Sequence, residues 1–413
     1  MDSSAKCLDK VKTAFSLSPD QLGQIAGKFQ DEMLAGLAGR SSSLKMLPSF
    51  LAKPEGREQG RFLALDFGGT NVRVQLVELT GDGCWTVLAK NALPLIDPAG
   101  GYDYTSAKTA APELFDFLAA QIAAVAGGEA YLLGHTFSFP CRQQGLNRAV
   151  LISWTKEIAA AGVEGREITA LLSEALTRRG LGRIKPCAII NDTVGTLLTS
   201  AYGDTGTDIG TICGTGHNTC YYEPSAGMII NMESGNFDGL PVSEYDRRLD
   251  DASERPGSQR LEKMVAGRYL GELVRLIAAD CLSLTLETGA LSTEDLAGIL
   301  GGPARPAGLA ALSSGDFLLL ETIARTVVAR SARLVAATFL GVLARIDPAL
   351  SCRHTIAVDG SLYEKMPGYA PMIAAALTEV LGPKAALLTL KLSKDGSGIG
   401  AAIAAAVAGQ KLD

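Results

Sequence analysis

One kind of glycine loop occurs twice in this chain, and each copy joins two short runs that read as β-strands. The first is Asp66-Phe-Gly-Gly-Thr-Asn71, after the apolar run Phe62 to Leu65; the second is Gly214-Thr-Gly-His-Asn218, after Thr211 to Cys213. Glycine permits a sharp turn at positive φ and lets main-chain N–H groups approach an anion, while a threonine hydroxyl adds a donor. Two such hairpins suit a polyphosphate held from both sides. The acidic segment Asn191-Asp192-Thr193 lies between them in sequence. The pattern points to a nucleotide-using chain built from two similar halves.

The elements repeat with the loops. Strand-like segments run Phe62 to Phe67, Val72 to Leu79 and Trp85 to Leu93, then a helix over Ala111 to Ala126, a strand near Tyr131 to Thr136, a helix over Ile168 to Arg178 and a strand at Ala188 to Ile190. After Asp192 the order restarts with strands at Thr211 to Cys213, Thr219 to Glu223 and Met228 to Glu233. Helices follow, then a strand at Thr355 to Val358, a helix around 367 to 381 and a strand near Ala386 to Leu392. This is a mixed-sheet α/β order. At 413 residues the chain exceeds the size of a usual single core, so two lobes are expected.

Outside the repeat, Leu22, Ile25, Phe29, Met33 and Leu37 fall at helical spacing within Asp20 to Gly39. Phe317 to Ile346 lacks proline and has only Gly341 as a late interruption, which predicts one long helix or two abutting ones. Gly398 to Val407 reads as a helix behind a third glycine turn, Ser393-Lys-Asp-Gly-Ser397.

The 38 Lys and Arg against 44 Asp and Glu give a net charge of −6, and no dense basic run occurs, which argues against nucleic acid and anionic membrane as partners. The N-terminal segment carries charges at Asp2, Lys6, Asp9, Lys10 and Lys12 and reads as neither signal peptide nor membrane span. The eight cysteines form no CxxC pair. They predict thiols used as small apolar residues in a reducing compartment, including Cys213 and Cys220 beside the second loop.

A glycine turn by itself is weak evidence of a phosphate site, and its neighbours carry the argument. Asp66 places a carboxylate at the phosphate end of the first loop, where it would hold Mg²⁺ through water, and Arg73 offers a cation. No GxxxxGK[ST] or GxGxxG pattern follows the strands, which disfavours P-loop and Rossmann readings. A second polar group, Ser138, Thr155, Lys156, Asn191, Asp192, Asn218, Glu233, Gln259 and Glu262, suits an uncharged polyhydroxylated ligand, because each sugar hydroxyl both donates and accepts. Each has a plainer alternative: Glu262 and Lys263 as a solvated helix face, Asn191 as a turn residue, Ser138 as a loop hydroxyl.

Taken together, these residues resemble the hexokinase family of the sugar-kinase, actin and heat-shock ATPase superfamily. The strings SSLKMLPSF, FLALDFGGTNVRV, FSFPC, WTKEI, NDTVGTLL, GTGHNTCYYE, NMESGNFDGLP, EKMVAGRYLGELVRL, VDGSLY and DGSGIGAA occur in the family's order, from about Asp20 to the C-terminus. The resemblance implies a two-lobed actin-like (ribonuclease H-like) α/β fold, each lobe a mixed five-stranded sheet with flanking helices around a central cleft. The small lobe would be 62–190 plus 398–413 and the large lobe 1–61 plus 191–397. It implies ATP and Mg²⁺ as cofactors and a hexose, glucose first, as the acceptor phosphorylated at its 6-hydroxyl, with the cleft closing on the sugar.

By the same resemblance Asp192 is the catalytic base and Lys156 lends positive charge beside the same hydroxyl. Ser138, Thr155, Lys156, Asn191, Asn218, Glu233, Gln259 and Glu262 form the hexose set. Asp66, Gly68, Gly69, Thr70, Asn71, Arg73, Gly214 and Thr215 resemble the phosphate loops, and Gly360, Ser361, Gly396 and Ser397 fall where the family grips adenosine. Mg²⁺ is expected with ATP, through water to Asp66 or Asp192, with no direct protein ligand.

Two positions depart from the family pattern: His217 stands where a small residue is more frequent, and Ser234 follows Glu233 where an aromatic is frequent. A single catalytic unit is read in the sequence, and the expectation is a cytoplasmic protein, monomer or homodimer. A preference for fructose, mannose or an amino sugar, and a sensor that binds sugar without turnover, stay open; an actin-like filament or chaperone would not need Ser138, Lys156 or Glu262.

Overall fold

Two helices open the chain, α1 (Asp2–Phe15) and α2 (Pro19–Leu37). Ser18 caps α2, accepting from the Gln21 N–H while the Gln21 side chain accepts from the Ser18 N–H, and Pro19 fills the first turn. Leu22, Ile25, Phe29 and Met33 are buried on one face, as their spacing predicts. The computed structural model describes residues 2–69, 71–282, 284, 286–301, 305–310 and 312–410.

Strands β1 (Leu47–Pro48), β2 (Gln59–Phe67), β3 (Asn71–Thr80) and β4 (Trp85–Pro94) come next, followed by α3 (Ala111–Ala126), β5 (Leu132–Phe137), β6 (Cys141–Gly145), β7 (Arg148–Leu151), α4 (Ile168–Arg178) and β8 (Lys185–Ile190). Helix α5 (Asp192–Gly203) leads to β9 (Thr207–Cys213), β10 (His217–Glu223) and β11 (Met228–Asn231). Helices α6 (Glu244–Asp251), α7 (Arg260–Val265), α8 (Gly267–Leu282), α9 (Thr293–Gly301) and α10 (Ser314–Ile346) precede β12 (His354–Asp359). Then come α11 (Ser361–Lys365), α12 (Tyr369–Leu381), β13 (Leu388–Leu392) and α13 (Gly396–Gly409).

The strands form a five-stranded sheet ordered β4-β3-β2-β5-β8, a six-stranded sheet ordered β1-β11-β10-β9-β12-β13, and the β6-β7 hairpin. Both larger sheets are mixed: β2 pairs antiparallel with β3 and parallel with β5, while β11 pairs antiparallel with β10 and β12 parallel with β13. The second sheet exceeds the expected five strands by β1. Its Pro48 cannot donate to a ladder, and β1 accordingly lies at the edge, paired only with β11.

By contacts the chain divides into two units, Met1–Met46, Thr211–Thr219 and Met232–Leu392 in one, and Leu47–Gly210, Cys220–Asn231 and Ser393–Asp413 in the other. In the second unit the five-stranded sheet carries a core on each face. Leu63, Leu65, Phe67, Phe115, Leu118, Ile122 and Leu172 pack with α3 and α4, and Ala64, Ile190, Leu197, Ala201 and Ile403 pack with α5 and α13. Helices α5 and α13 cross at glycines: a Cβ on Gly400 would stand 2.3 Å from the Gly195 Cα. That close approach gathers residues 191–210 with the five-stranded sheet.

In the first unit α10 is one unbroken helix of 33 residues, capped by Ser313 and buried along most of its length. It is long and apolar enough to cross a membrane, but its apolar window is buried inside the fold, as in a core helix. Gly341 is its contact point with α2, since a Cβ there would lie 2.9 Å from the Ala26 carbonyl oxygen. The expectation of eight thiols fails here. Cys7 on α1 and Cys281 on α8 form a disulfide with Cα atoms 5.3 Å apart, and at a sequence separation of 274 only tertiary packing brings them together. Cys213 and Cys220 remain thiols, and burial pushes Cys213 up to about 12.

Candidate active site

At the end of β2, Phe67 hands the chain to Gly68 and Gly69, and Asn71 begins β3; Thr70 lies outside the described residues. A Cβ on Gly68 would come within 3.2 Å of the Ser138 side chain, so glycine lets the loop rest on Ser138. Asp66 stands opposite Arg73 in the strand register. Its Oδ2 accepts from Ser397 Oγ at 2.8 Å and lies 3.9 Å from the Arg73 guanidinium.

Burial pushes the Asp66 carboxyl up, against the Ser397 hydrogen bond and the charges of Arg73 and Lys156, while the charge of Asp192 adds to the rise. A buried carboxylate repelled by a second one favours a cation beside it. Arg73 is not presented alone: it pairs with Asp395 at 2.5 Å, immediately before Gly396. Asp66, Arg73, Gly396 and Ser397 are therefore one cluster, with Ser397 turned onto the Asp66 carboxylate.

The Lys156 Nζ donates to the carbonyls of Gly68 and, at 3.2 Å, Ser138. Its backbone and that of Glu157 are left-handed, at φ +59 and +64. The Ser138 Oγ is buried and has no protein hydrogen-bond partner among the described residues, so its hydrogen-bonding capacity is open. Thr155, half-buried, accepts from the Ile158 N–H through its carbonyl and starts the turn carrying Lys156. Asn191 caps α5, its Oδ1 accepting from the Thr193 N–H and hydroxyl, and Asp192 accepts from the same N–H at 2.9 Å. The cap fixes both side chains at the helix start.

The second loop gathers the other residues of the set. Gly214 receives the Gly267 N–H on its carbonyl, Thr215 that of Arg268, and Gly360, at φ +120, lies so near that a Cβ would stand 2.5 Å from the Cys213 carbonyl. Gly214, Thr215, Gly360 and Ser361 thus share one corner. Beyond the turn, Asn218 accepts from the Ser234 N–H at 3.1 Å and its amide lies 3.4 Å from Glu233. Glu262 accepts from the His217 N–H at 3.0 Å. A Cβ on Gly235 would touch Gln259 Oε1 at 2.5 Å and Glu262 at 3.1 Å, so Gln259 and Glu262 close on the Glu233 turn. Glu233 and Gln259 are both left-handed at φ +54.

Hexokinase family models match residues 7–202 and 208–407. Human Hexokinase-3 is 35% identical over 98% of this chain and 47% of its own length, and Hexokinase-7 of Oryza sativa subsp. japonica is 35% identical over 95% of each. The solved structure of the hexokinase from Schistosoma mansoni complexed with glucose superposes with a TM-score of 0.81 at 33% identity, covering 98% of this chain and 99% of that one. The chain belongs to the hexokinase family. It spans about half the length of the vertebrate hexokinases it matches.

Within this family member the two departures have local explanations. The His217 ring is buried, with Nδ1 3.9 Å from the Cys213 sulfur. Ser234 is buried and donates its N–H to Asn218. Lys263 is no solvated-face residue: it is buried and ion-paired with Asp250. Sequence reading missed Lys45, 3.8 Å from Glu233, and Asp395, the partner of Arg73. It named Thr193 only as the end of the acidic segment, although Asn-Asp-Thr ahead of an apolar run is a helix-cap signal.

Proposed function

We propose that this chain phosphorylates a hexose, D-glucose first, at the 6-hydroxyl, giving hexose 6-phosphate and ADP as the first step of glycolysis. The observation that carries the reading is backbone strain at the sugar set. Lys156, Glu233 and Gln259 are held at positive φ, a conformation that costs about 1–3 kcal/mol in a non-glycine residue and persists where the surroundings enforce it. The glucose complex of the Schistosoma mansoni relative supports the same substrate.

In this reading Asp192 accepts the 6-hydroxyl proton as that oxygen bonds to the γ-phosphorus and the bond to the bridging oxygen of ADP breaks. Ser138, Thr155, Asn191, Asn218, Glu233, Gln259 and Glu262 orient the hydroxyls, and the Lys156 ammonium offsets developing charge. The family resemblance assigns the phosphates to Gly68, Gly69 and Gly214 and the adenosine to Gly360; within each unit by itself, a Cβ at 68 would press on Ser138 and one at 360 on the Cys213 carbonyl. Asp66 and Asp192 fit a water-mediated Mg²⁺ site by their mutual charge, and the ion would neutralise phosphate oxygens.

The test is hexose-dependent ADP formation with Mg·ATP across a sugar panel. Asp192→Ala is expected to lower kcat about 10²–10⁴-fold while retaining sugar binding. If no hexose stimulates ADP release, the kinase reading fails; an Asp192→Ala protein with full turnover removes Asp192 from the proton transfer.

We also propose functional lobes of 62–190 with 398–413 and of 1–61 with 191–397, which differ from the contact-based units in where 47–61, 191–210, 220–231 and 393–397 fall, together with a monomer or homodimer, a cytoplasmic location, and neither membrane nor nucleic-acid partners. The acidic balance supports the last point. The Cys7–Cys281 disulfide stands against a reducing compartment, and intact mass of the chain from thiol-blocked extract decides that point.

A further inference from the structure

Where α10 ends and β12 begins, three side chains of different chemistry converge outside the proposed catalytic set. Asp347 caps the C-terminus of α10, Cys352 is exposed in the turn, and His354, buried, is the first residue of β12. The His354 Nε2 lies 3.2 Å from Asp347 Oδ2 and 3.3 Å from the Cys352 sulfur, and that sulfur lies 3.5 Å from Asp347 Oδ2. Among the described residues this is the one group of three such donors near enough to share an ion.

Two chemistries use Asp, His and Cys together, and the geometry separates them. A nucleophile relay needs the carboxylate on one ring nitrogen and the thiol on the other, so that a proton crosses the imidazole. Here both meet the same nitrogen, so no relay exists. A tetrahedral cation needs the donors at the corners of one face. Bonds of about 2.3 Å to sulfur and about 2.0 Å to nitrogen and oxygen, at the tetrahedral angle, give edges of about 3.5 Å to sulfur and about 3.3 Å between nitrogen and oxygen. The observed edges of 3.3, 3.5 and 3.2 Å match them within about 0.2 Å.

We propose that Asp347, Cys352 and His354 bind a borderline-soft divalent cation, zinc by its chemistry, with a fourth position open at the exposed side of the turn. Thiolate with imidazole selects such an ion over Mg²⁺ or Ca²⁺, which take oxygen ligands. The carboxylate is already oriented: the N–H groups of Ser351 and Cys352 donate to Asp347 Oδ2 at 2.6 and 3.1 Å, and the Ser351 hydroxyl donates to Oδ1 at 3.1 Å. Binding replaces the protons shared among the three groups with one cation and fastens the end of α10 to the start of β12. The proposed role is that of a clip between the two elements, with a water completing the four-coordinate shell.

The test is a Co²⁺ titration of the full chain, metal-stripped and reduced with a non-thiol reductant. A sulfur-to-cobalt charge-transfer band and the intense visible bands of four-coordinate Co²⁺ are expected, saturating at one ion per chain and displaced by Zn²⁺. Cys352→Ser is expected to abolish the charge-transfer band, and Asp347→Asn to weaken Co²⁺ binding at least about tenfold. Zn²⁺ is expected to raise the melting temperature of the wild type and not of Cys352→Ser. No charge-transfer band, or a band that persists in Cys352→Ser and disappears in Cys84→Ser, overturns the proposal.

Discussion

One methyl group at Gly400 tests the link between packing and turnover. The added Cβ of Gly400→Ala would lie 2.3 Å from both the Cα and the carbonyl oxygen of Gly195, where ordinary contact begins at 3.4 Å, so α5 must retreat by about 1.1 Å. Neither contact is a flexible side chain, and α13 cannot yield instead, because its Ala401 carbonyl already stands where a Cβ on Gly134 of β5 would meet it at 1.8 Å. Overpacking of this kind costs about 1–3 kcal/mol, which lowers Tm by about 2–4 °C per kcal/mol in a body of this size.

The same retreat moves Asp192, the first residue of α5, and a displacement of about 1 Å in a positioned catalytic group costs on the order of 10²-fold in rate. The assay is kcat at saturating glucose and Mg·ATP beside a thermal melt. Gly27→Ala on the exposed face of α2, where an added Cβ meets nothing within 4 Å, is the control and should gain about 0.5–1 kcal/mol with unchanged kcat. A Gly400→Ala protein that melts and turns over like the wild type would refute the argument that glycine contact sets the position of α5.

Burial pushes His135 down to about 3 and His217 down to about 4 from 6.5, so between those values the folded chain binds fewer protons than the unfolded one. Their contribution is flat above pH 6.5 and is lost as pH falls toward 4, by up to about 2.7 kcal/mol per pH unit for the pair. His135→Leu should halve that slope, read as the wild-type-to-variant difference in urea unfolding at pH 7, 6 and 5. Arg330 holds buried Asp246 through two bonds at 2.8 and 2.7 Å, and Arg330→Met should lose about 3–5 kcal/mol by chemical denaturation because the buried carboxylate loses its counter-charge and keeps only the Ser243 N–H and hydroxyl as donors among the described residues.

The elements that sequence reading placed well carry a local signal. Helices at 111–126 and 168–178 and the three strands around the first loop follow from apolar periodicity and glycine punctuation, and the structure has them within a few residues. Position in the site was legible only through the family's motif order. Nothing in Ser138 or Gln259 alone distinguishes a ligand contact from a loop residue, because burial of the first and the left-handed backbone of the second arise from tertiary packing. The disulfide, the Asp246–Arg330 pair and the Gly195–Gly400 contact were illegible for the same reason, since each joins residues far apart in sequence. The hairpin Cys141–Gly145 with Arg148–Leu151 also went unread, its strands being short and half polar.

The left-handed residues Lys156, Glu233, Gln259 and Asp395 have a bearing on directed evolution. Glycine adopts that backbone without the steric cost, so each position offers an easy gain in thermal tolerance. A library selected for heat resistance alone would drift toward glycine there and shed polar side chains assigned to the sugar and to the phosphate loop. Selection on surviving product formation, instead of surviving fold, is the regime under which these four side chains persist.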